Sequence, residues 1–219
     1  MTDADFDRAL LGAAFALASE RGWSRVSIAE AARRADLPLA RARTRFPARI
    51  VLLCKFGRLA DEEALAFPPA EAPARERLFE ILMRRIDVLQ SHRDGVLALF
   101  RHLPFDPCAA AMLAAASLRS MSWMLEGAGI DASGPRGKLR AKGLLAVWLA
   151  TVHAWRTDAS EDLSATMAAL DKALRRAEQV EGWVSGRRPP PAEPAAAPAP
   201  PPDDPFTPDP FTPDPSRPD

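Results

Sequence analysis

Between Asp36 and Arg49 the chain reads DLPLARARTRFPAR, a stretch with four arginines, Arg41, Arg43, Arg45 and Arg49. A guanidinium is always charged and offers five donors in a planar fork, a shape that fits carboxylates, phosphates and the acceptor edge of guanine. The concentration is local, because the whole chain balances 29 basic against 29 acidic residues. From Arg21 to Arg58 about ten bases face only two acids, Glu30 and Asp36, a local excess of about +8. A neutral protein that gathers positive charge in this way is expected to turn that surface towards a polyanion. On a helix through this stretch Arg41 and Arg45 are i, i+4 neighbours, Leu39, Ala42 and Phe46 point towards a core, and Arg43 and Thr44 occupy the remaining exposed arc. Three arginines and a hydroxyl would then be presented to a DNA major groove. The competing reading is an arginine-rich solvated face.

Other chemistry finds less support. The histidines, His92, His102 and His153, lie at no metal-ligand spacing from one another or from a cysteine, so no metal is expected. There is no glycine-rich phosphate loop, nucleophile elbow or carboxylate pair, and the reading is of a non-enzyme without a cofactor. Cys54 and Cys108 are far apart and read as two buried free thiols in a reduced, cytoplasmic setting. Phe79, Met83, Phe100, Leu118, Met121 and Trp148 are candidates to line an apolar ligand cavity among central helices, with plain core as the alternative.

The elements that must position these residues are helical. Hydrophobic residues make up 47% of the chain and charged residues 26%, tyrosine is absent, and no run alternates like a half-buried strand. The fold class is all-α, with about nine helices. No apolar run approaches the roughly 20 residues of a membrane span, and the acidic start MTDADFDRALLG is not that of a signal peptide. The first helix, DADFDRALLGAAFALASERG, is capped by Asp3 or Asp5 and ends at Gly22, with Phe6, Leu10, Ala13, Leu17 and Ala18 on one face. In SIAEAARRA, Ser27 and Glu30 have the spacing of a capping box. The break FPPAEAP at 67–73 separates these from an amphipathic helix carrying Leu78, Ile81, Leu82, Ile86 and Leu89. Asp106 followed by Pro107 starts a later helix. From about Arg187 the chain is rich in proline and repeats FTPDP at 206–210 and 211–215, a composition expected to remain disordered, with Phe206 and Phe211 as a candidate docking motif. The predicted domains are 1–60, a DNA-binding unit; 61–186, a regulatory and dimerisation unit; and 187–219, the tail.

Two short helices separated by the tight break RADLP, with a longer helix before them, have the plan of a helix-turn-helix. Asp36 sits at the bend, where a left-handed backbone is often needed and Asp tolerates it better than most residues. Pro38 follows at the first position of the next helix, where its missing N–H costs nothing.

The stretch GWSRVSIAEAARRADLPLARARTRFPARIVLL resembles, without a gap, the N-terminal domain of the tetracycline-repressor (TetR) family of regulators. Gly22 ends the first helix, Ser27 and Ile28 match the family's Thr/Ser-Val, Ala32 and Ala35 its two alanines, Leu37 its Val, Phe46 its Phe and Leu52 its Leu. The chain departs from the pattern at Ala31 for Ile, Asp36 for Gly, Pro38 for the capping Ser, Arg43 for the phosphate-binding Tyr, and Arg49 for Lys. The resemblance covers about 50 residues specifically. It implies a double-stranded operator as partner, contacted through Arg25, Ser27, Arg34, Pro38, Leu39, Arg41, Arg43, Thr44, Arg45 and Arg49. It also implies a homodimer joined by the last two helices. Leu163, Met167, Leu170, Leu174 and Ala177 form a seam at spacings of 4, 3, 4 and 3, and Leu144, Val147, Thr151 and Trp155 line the preceding helix, with Trp148 beside them. Intrachain core is the alternative for both stripes.

The last hundred residues are more loosely similar to the lipid-binding protein of coenzyme Q biosynthesis, through Trp123, Trp148, Trp155, Asp158, Ser160 and Asp171. That family shares the fold, does not bind DNA and holds an isoprenoid lipid. The expected function is a cytoplasmic, homodimeric TetR-like regulator of transcription controlled by a small apolar ligand. The alternative is a lipid-binding relative in ubiquinone synthesis.

Overall fold

The structure, a computed structural model, describes residues 1–66 and 71–184. The described residues form nine α-helices and no strand: α1 (Asp3–Arg21), α2 (Ile28–Arg34), α3 (Leu39–Arg45), α4 (Arg49–Leu65), α5 (Ala74–Gln90), α6 (Arg93–His102), α7 (Pro107–Gly127), α8 (Gly134–Thr157) and α9 (Ser164–Val184). Met1–Glu181 is one compact unit. The proline-rich tail at 187–219 and the first four residues of the FPPAEAP break lie outside the described residues.

Helix α1 begins where local hydrogen bonding lets it. Thr2, not Asp3 or Asp5, is the N-cap: its hydroxyl accepts from the Asp5 N–H at 3.1 Å, and the Asp5 carboxylate accepts from the Thr2 N–H at 3.0 Å. This is a reciprocal capping box. The box expected at Ser27 and Glu30 does not form. The Ser27 side chain makes no cap bond, and Glu30 pairs instead with Arg21. Asp36 adopts the left-handed conformation the sequence suggested, with φ 52°. There the Leu37 N–H donates to the Ala32 carbonyl and the Asp36 N–H to that of Arg33, the pair of bonds that closes a Schellman turn. The chain can therefore reverse between α2 and α3 in two residues. Asp106 caps α7 through the Ala109 N–H at 3.0 Å, with Pro107 in the first turn as expected.

The core runs continuously through the unit. Phe6, Leu10, Leu11, Phe15 and Ala18 of α1 bury against α2, α4 and α6. Leu78, Ile81, Leu82, Ile86 and Leu89 of α5 face inward as their spacing predicts. Helix α7 packs on α4 and α8 through Ser120, Met121, Met124 and Leu125. Contrary to the expectation from run lengths, α7 reaches the length and mean hydropathy of a membrane span. It nonetheless carries Arg119 and buries these four residues in the bundle. Trp123, on the opposite side of α7, is 61% exposed.

Helix α1 lies directly on α6, and one residue permits the approach. A Cβ at Gly95 would stand 2.4 Å from the Phe15 carbonyl oxygen and 2.8 Å from its Cβ. Neither atom can swing away as the tip of a flexible side chain would. Gly95→Ala is therefore expected to cost about 1–3 kcal/mol of stability, the usual penalty of overpacking a tight contact. Urea denaturation followed by circular dichroism measures it, and an unchanged midpoint would show that α1 and α6 part easily.

Candidate nucleic-acid interface and ligand cavity

The ten bases between Arg21 and Arg58 do not share one environment. Arg41 and Arg45, read from the sequence as groove-facing, turn back onto α1. Arg45 makes a bidentate contact with Asp7, Nε and Nη2 each at 2.7 Å, and its Nη1 pairs with Asp3. Arg41 pairs with Asp3 and lies over the Phe6 ring, 4.5 Å from its centroid. Lys55 of α4 completes the cluster at 2.7 Å from Asp7 and stacks on Phe46. Partial burial pushes the Asp7 carboxyl up, but hydrogen bonds from Arg45 and Lys55 outweigh that and hold it below the usual carboxylate range. Arg34 is similarly matched by Glu20, and Arg21 by Glu30. Three acids of α1 that lie outside the stretch, Asp3, Asp7 and Glu20, thus cancel part of the local positive excess.

The remaining charge is differently placed. Arg43 is exposed on α3, and its guanidinium donates to the Pro47 carbonyl at 3.0 Å. Arg49 is exposed at the start of α4 and donates to the Ser24 carbonyl at 2.8 Å. Carbonyl partners orient an arginine without neutralising it, so both keep their full charge. Pro38, Leu39, Ala40, Arg43 and Thr44 form the outer face of α3, with Ser27 exposed at the start of α2 and Arg25 exposed just before it. Leu39, expected to point towards the core, is 44% exposed, while Ala42 and Phe46 are buried. The outer face of the helix-turn-helix is thus a small apolar patch around Arg43 and Thr44, flanked by Arg25 and Arg49.

The residues expected to form a dimer seam lie inside the chain. Leu144, Val147, Thr151 and Trp155 of α8, with Leu163 before α9 and Leu170 and Leu174 on it, are all buried, and Met167 is half-buried. Leu170 has no exposed surface at all. Within the single chain these stripes pack as core. The outward face of α8 carries Leu139, Gly143, Ala146, Ala150 and His153, also at spacings of 4, 3, 4 and 3.

The residues behind the coenzyme Q resemblance find structural roles. Trp155 donates to Gln90 at 2.8 Å and stacks under Arg93, which in turn donates to the carbonyls of Trp155 and Asp158 and so closes the end of α8. Asp158 accepts from the hydroxyls and backbone N–H groups of Ser160 and Thr166, so that it starts α9. The bonds from Ser160 and Thr166 hold its carboxyl well below the usual range. Asp171 ties α9 to α5 through Arg75 at 2.7 Å.

A cavity of about 360 Å³ lies among α4, α5, α6, α7 and α8. Phe100 and Trp148 line it as expected. Phe79, Met83, Leu118 and Met121 do not; all four pack in or against the core. The wall instead includes Phe56 and Ala60 of α4, Leu99 of α6 and Leu113 of α7, residues whose spacing does not set them apart from ordinary core. Arg85, only 4% exposed, reaches it from α5, with its guanidinium carbon 4.7 Å above the Trp148 ring. Of the two cysteines, Cys108 is exposed and not buried as expected, and Cys54 is half-buried. Among the described residues no group of histidines, cysteines or carboxylates is arranged to hold a metal.

No family model matches the sequence, and no curated protein is significantly similar to it. Solved structures are similar in fold. A TetR transcriptional regulator from Nitrosomonas europaea superposes with a TM-score of 0.66 at 21% identity, over 80% of this chain and 98% of its own. A TetR-family transcriptional regulator from Streptomyces coelicolor gives 0.57 at 17% identity, over 83% and 85%. A TetR transcriptional regulator from Rhodococcus sp. RHA1 gives 0.55 at 18% identity, over 80% and 97%. The helix order, the tight α2–α3 turn and these superpositions lead to one conclusion: the chain has the fold of the TetR transcriptional regulators.

Proposed function

We propose that the protein is a DNA-binding transcriptional regulator that acts as a homodimer and responds to a small apolar molecule. The observation that carries this reading is the outer face of α3. Its two cationic flanks, Arg43 and Arg49, are anchored by neutral carbonyls, while the carboxylates Asp3 and Asp7 of α1 engage Arg41 and Arg45 instead. A helix placed in a major groove needs such a face: small residues that allow close approach, a hydroxyl, and uncancelled charge for phosphates and guanine edges. The shared fold of the TetR regulators supports it.

The two halves of the reading connect through Phe56. It lines the cavity, and its ring stands 4.4 Å from that of Phe15 on α1, the helix that holds the recognition helix by its acids. A ligand that fitted one position of α4 better than another would bias the placement of the reading head. Its effect on operator affinity equals its differential affinity for the two arrangements. Pairing of two subunits is assigned to the outward face of α8, where Gly143, Ala146 and Ala150 let helices approach closely.

Fluorescence anisotropy with a duplex from upstream of the gene, at two salt concentrations, tests DNA binding. Log affinity should fall with log salt by about 0.9 for each phosphate contact. Arg43→Ala should weaken binding by about 1–3 kcal/mol, the range for an arginine reading a base edge. Arg41→Ala should change it far less, because Arg41 is engaged with Asp3. A wild-type protein with no salt-dependent affinity for any duplex overturns the reading.

Asp7→Asn gives the converse result. Removing the carboxylate frees Lys55 and leaves Arg45 with Asp3 alone, so duplex affinity at low salt should rise while the fold loosens. The loosening follows from the sign of the linkage. A carboxylate held below its unfolded pKa contributes stability that is present above that value and is lost as pH falls through the folded one. A wild-type melting temperature that falls in acid more steeply than that of Asp7→Asn would show the linkage, and parallel curves would remove it.

Ala146→Arg places a long cation in the middle of the α8 face. Sedimentation velocity should report monomers that retain full helicity. A variant that remains dimeric would move the interface elsewhere.

A further inference from the structure

The cavity has one feature that an apolar ligand does not explain. Arg85 is buried and lines it, yet its Nε and Nη1 donate no hydrogen bond. Asp61 on α4 stands 2.9 Å from Nη1, near enough to pair by charge, but its Oδ1 is misaligned and also accepts no hydrogen bond. The other oxygen of Asp61 is taken by the Ser120 hydroxyl at 2.6 Å. Two donors of a buried cation are thus left without an acceptor, a state that is costly unless something else supplies one.

The charge balance points the same way. Arg156, from the end of α8, also lines the cavity, stacks over Phe100 at 5.7 Å, and has no acid partner among the described residues. With Arg85, Arg156 and Asp61 counted together, the site carries one positive charge more than negative. The rest of the wall is overwhelmingly apolar, with residues such as Phe56, Leu99 and Leu113. At about 360 Å³ the space falls in the range of small-molecule sites.

We infer that the cavity binds an amphipathic monoanion, an alkyl or aryl carboxylate, whose head accepts hydrogen bonds from Arg85 and whose apolar body fills the space beside Trp148. The carboxylate supplies the acceptors that Asp61 does not, and its charge brings the site to neutrality. Arg85 binds it at a distance from bulk water, where a charge-assisted hydrogen bond is strongest. The placement also has a mechanical consequence. Asp61 is on α4, Arg85 on α5, Ser120 on α7 and Trp148 on α8. A carboxylate drawn to Arg85 competes with Asp61 for it and so loads α4, the helix that leaves the recognition helix.

The inference rests on the ligand-control part of the proposed function and on none of its DNA-binding part. It is tested by isothermal titration calorimetry of the full chain, without DNA, against decanoate and 1-decanol. These share a chain length and differ in the charge of the head. Decanoate should bind saturably, one per chain, and at least about tenfold more tightly than the alcohol, the size expected of a charge-assisted hydrogen bond. The double variant Arg85→Met, Asp61→Asn removes the pair without leaving a lone buried charge. It should still bind the alcohol and bring the two ligands within about twofold of each other. Equal binding of the two by the wild type, binding of neither, or a preference for the acid that survives in the double variant overturns the proposal. Should the double variant fail to fold, Arg156→Gln decides. A preference kept there supports Arg85, and a preference lost there moves the anion to the mouth of the cavity and overturns the assignment. Loss of duplex binding leaves this result standing, and failure here leaves the salt-dependent DNA contact standing.

Discussion

The rest of the molecule is arranged around one contact, the packing of Phe15 against Gly95. The backbone of α1 meets that of α6 there, at a distance no larger residue would allow. The ring of Phe15 then touches Trp23 just after the first helix, Phe56 on α4 and His92 at the start of α6, with centroids 5.7, 4.4 and 5.6 Å apart. Aromatic pairs at such distances add modestly to the area they bury. Their greater effect is geometric. With Phe15 fixed, α1 cannot slide along α6, and everything α1 holds is registered against the body of the protein.

What α1 holds is α3. The contact between the two is only partly apolar: Phe6 and Leu10 are fully buried, but Asp3 and Asp7 reach beyond them to Arg41, Arg45 and Lys55. Exposed ion pairs contribute little individually. Here Asp7 joins two cations, and Arg45 joins two acids, so the group acts as a network with a fixed geometry. It orients α3 as well as binding it. It also sorts the arginines of the chain into two classes, those used to hold the helix and those left to face outward.

The interior shows the opposite economy of charge. Arg85 and Asp61 are withdrawn from water between four helices, where burial pushes the Asp61 carboxyl up and the Arg85 guanidinium down against their mutual attraction. Replacing such a pair by apolar residues often stabilises a protein. An imperfectly bonded pair beside an apolar cavity is therefore poor economy as a structural device, and its position makes chemical sense as part of a binding site.

Much of the architecture was legible in the sequence wherever the cause is local. The stop of α1 at Gly22, the left-handed turn at Asp36 and the start of α7 at Asp106–Pro107 depend on residues within one or two turns. The inward face of α5 follows from its spacing, because its other face is too polar to compete. The expectations failed where two local answers were nearly equal. Thr2 and Asp3 both suit a cap; Glu30 can reach Ser27 or Arg21; and α8 has two faces of similar apolar spacing, one of which holds Trp155 and the other Ala146 and Ala150. Only neighbours distant in sequence decide such ties, by supplying a partner or a surface. The same is true of charge. Counting bases along the chain located the arginine cluster, but Asp3 and Asp7, some forty residues earlier, determine which arginines it can use. So the helices, their ends and the turn between α2 and α3 were set by the sequence itself, through interactions that fall off within a few residues. Which face of each helix is buried, which arginines remain uncancelled and where the cavity opens were decided by tertiary packing, since Coulomb attraction and apolar burial act between whatever the fold brings together.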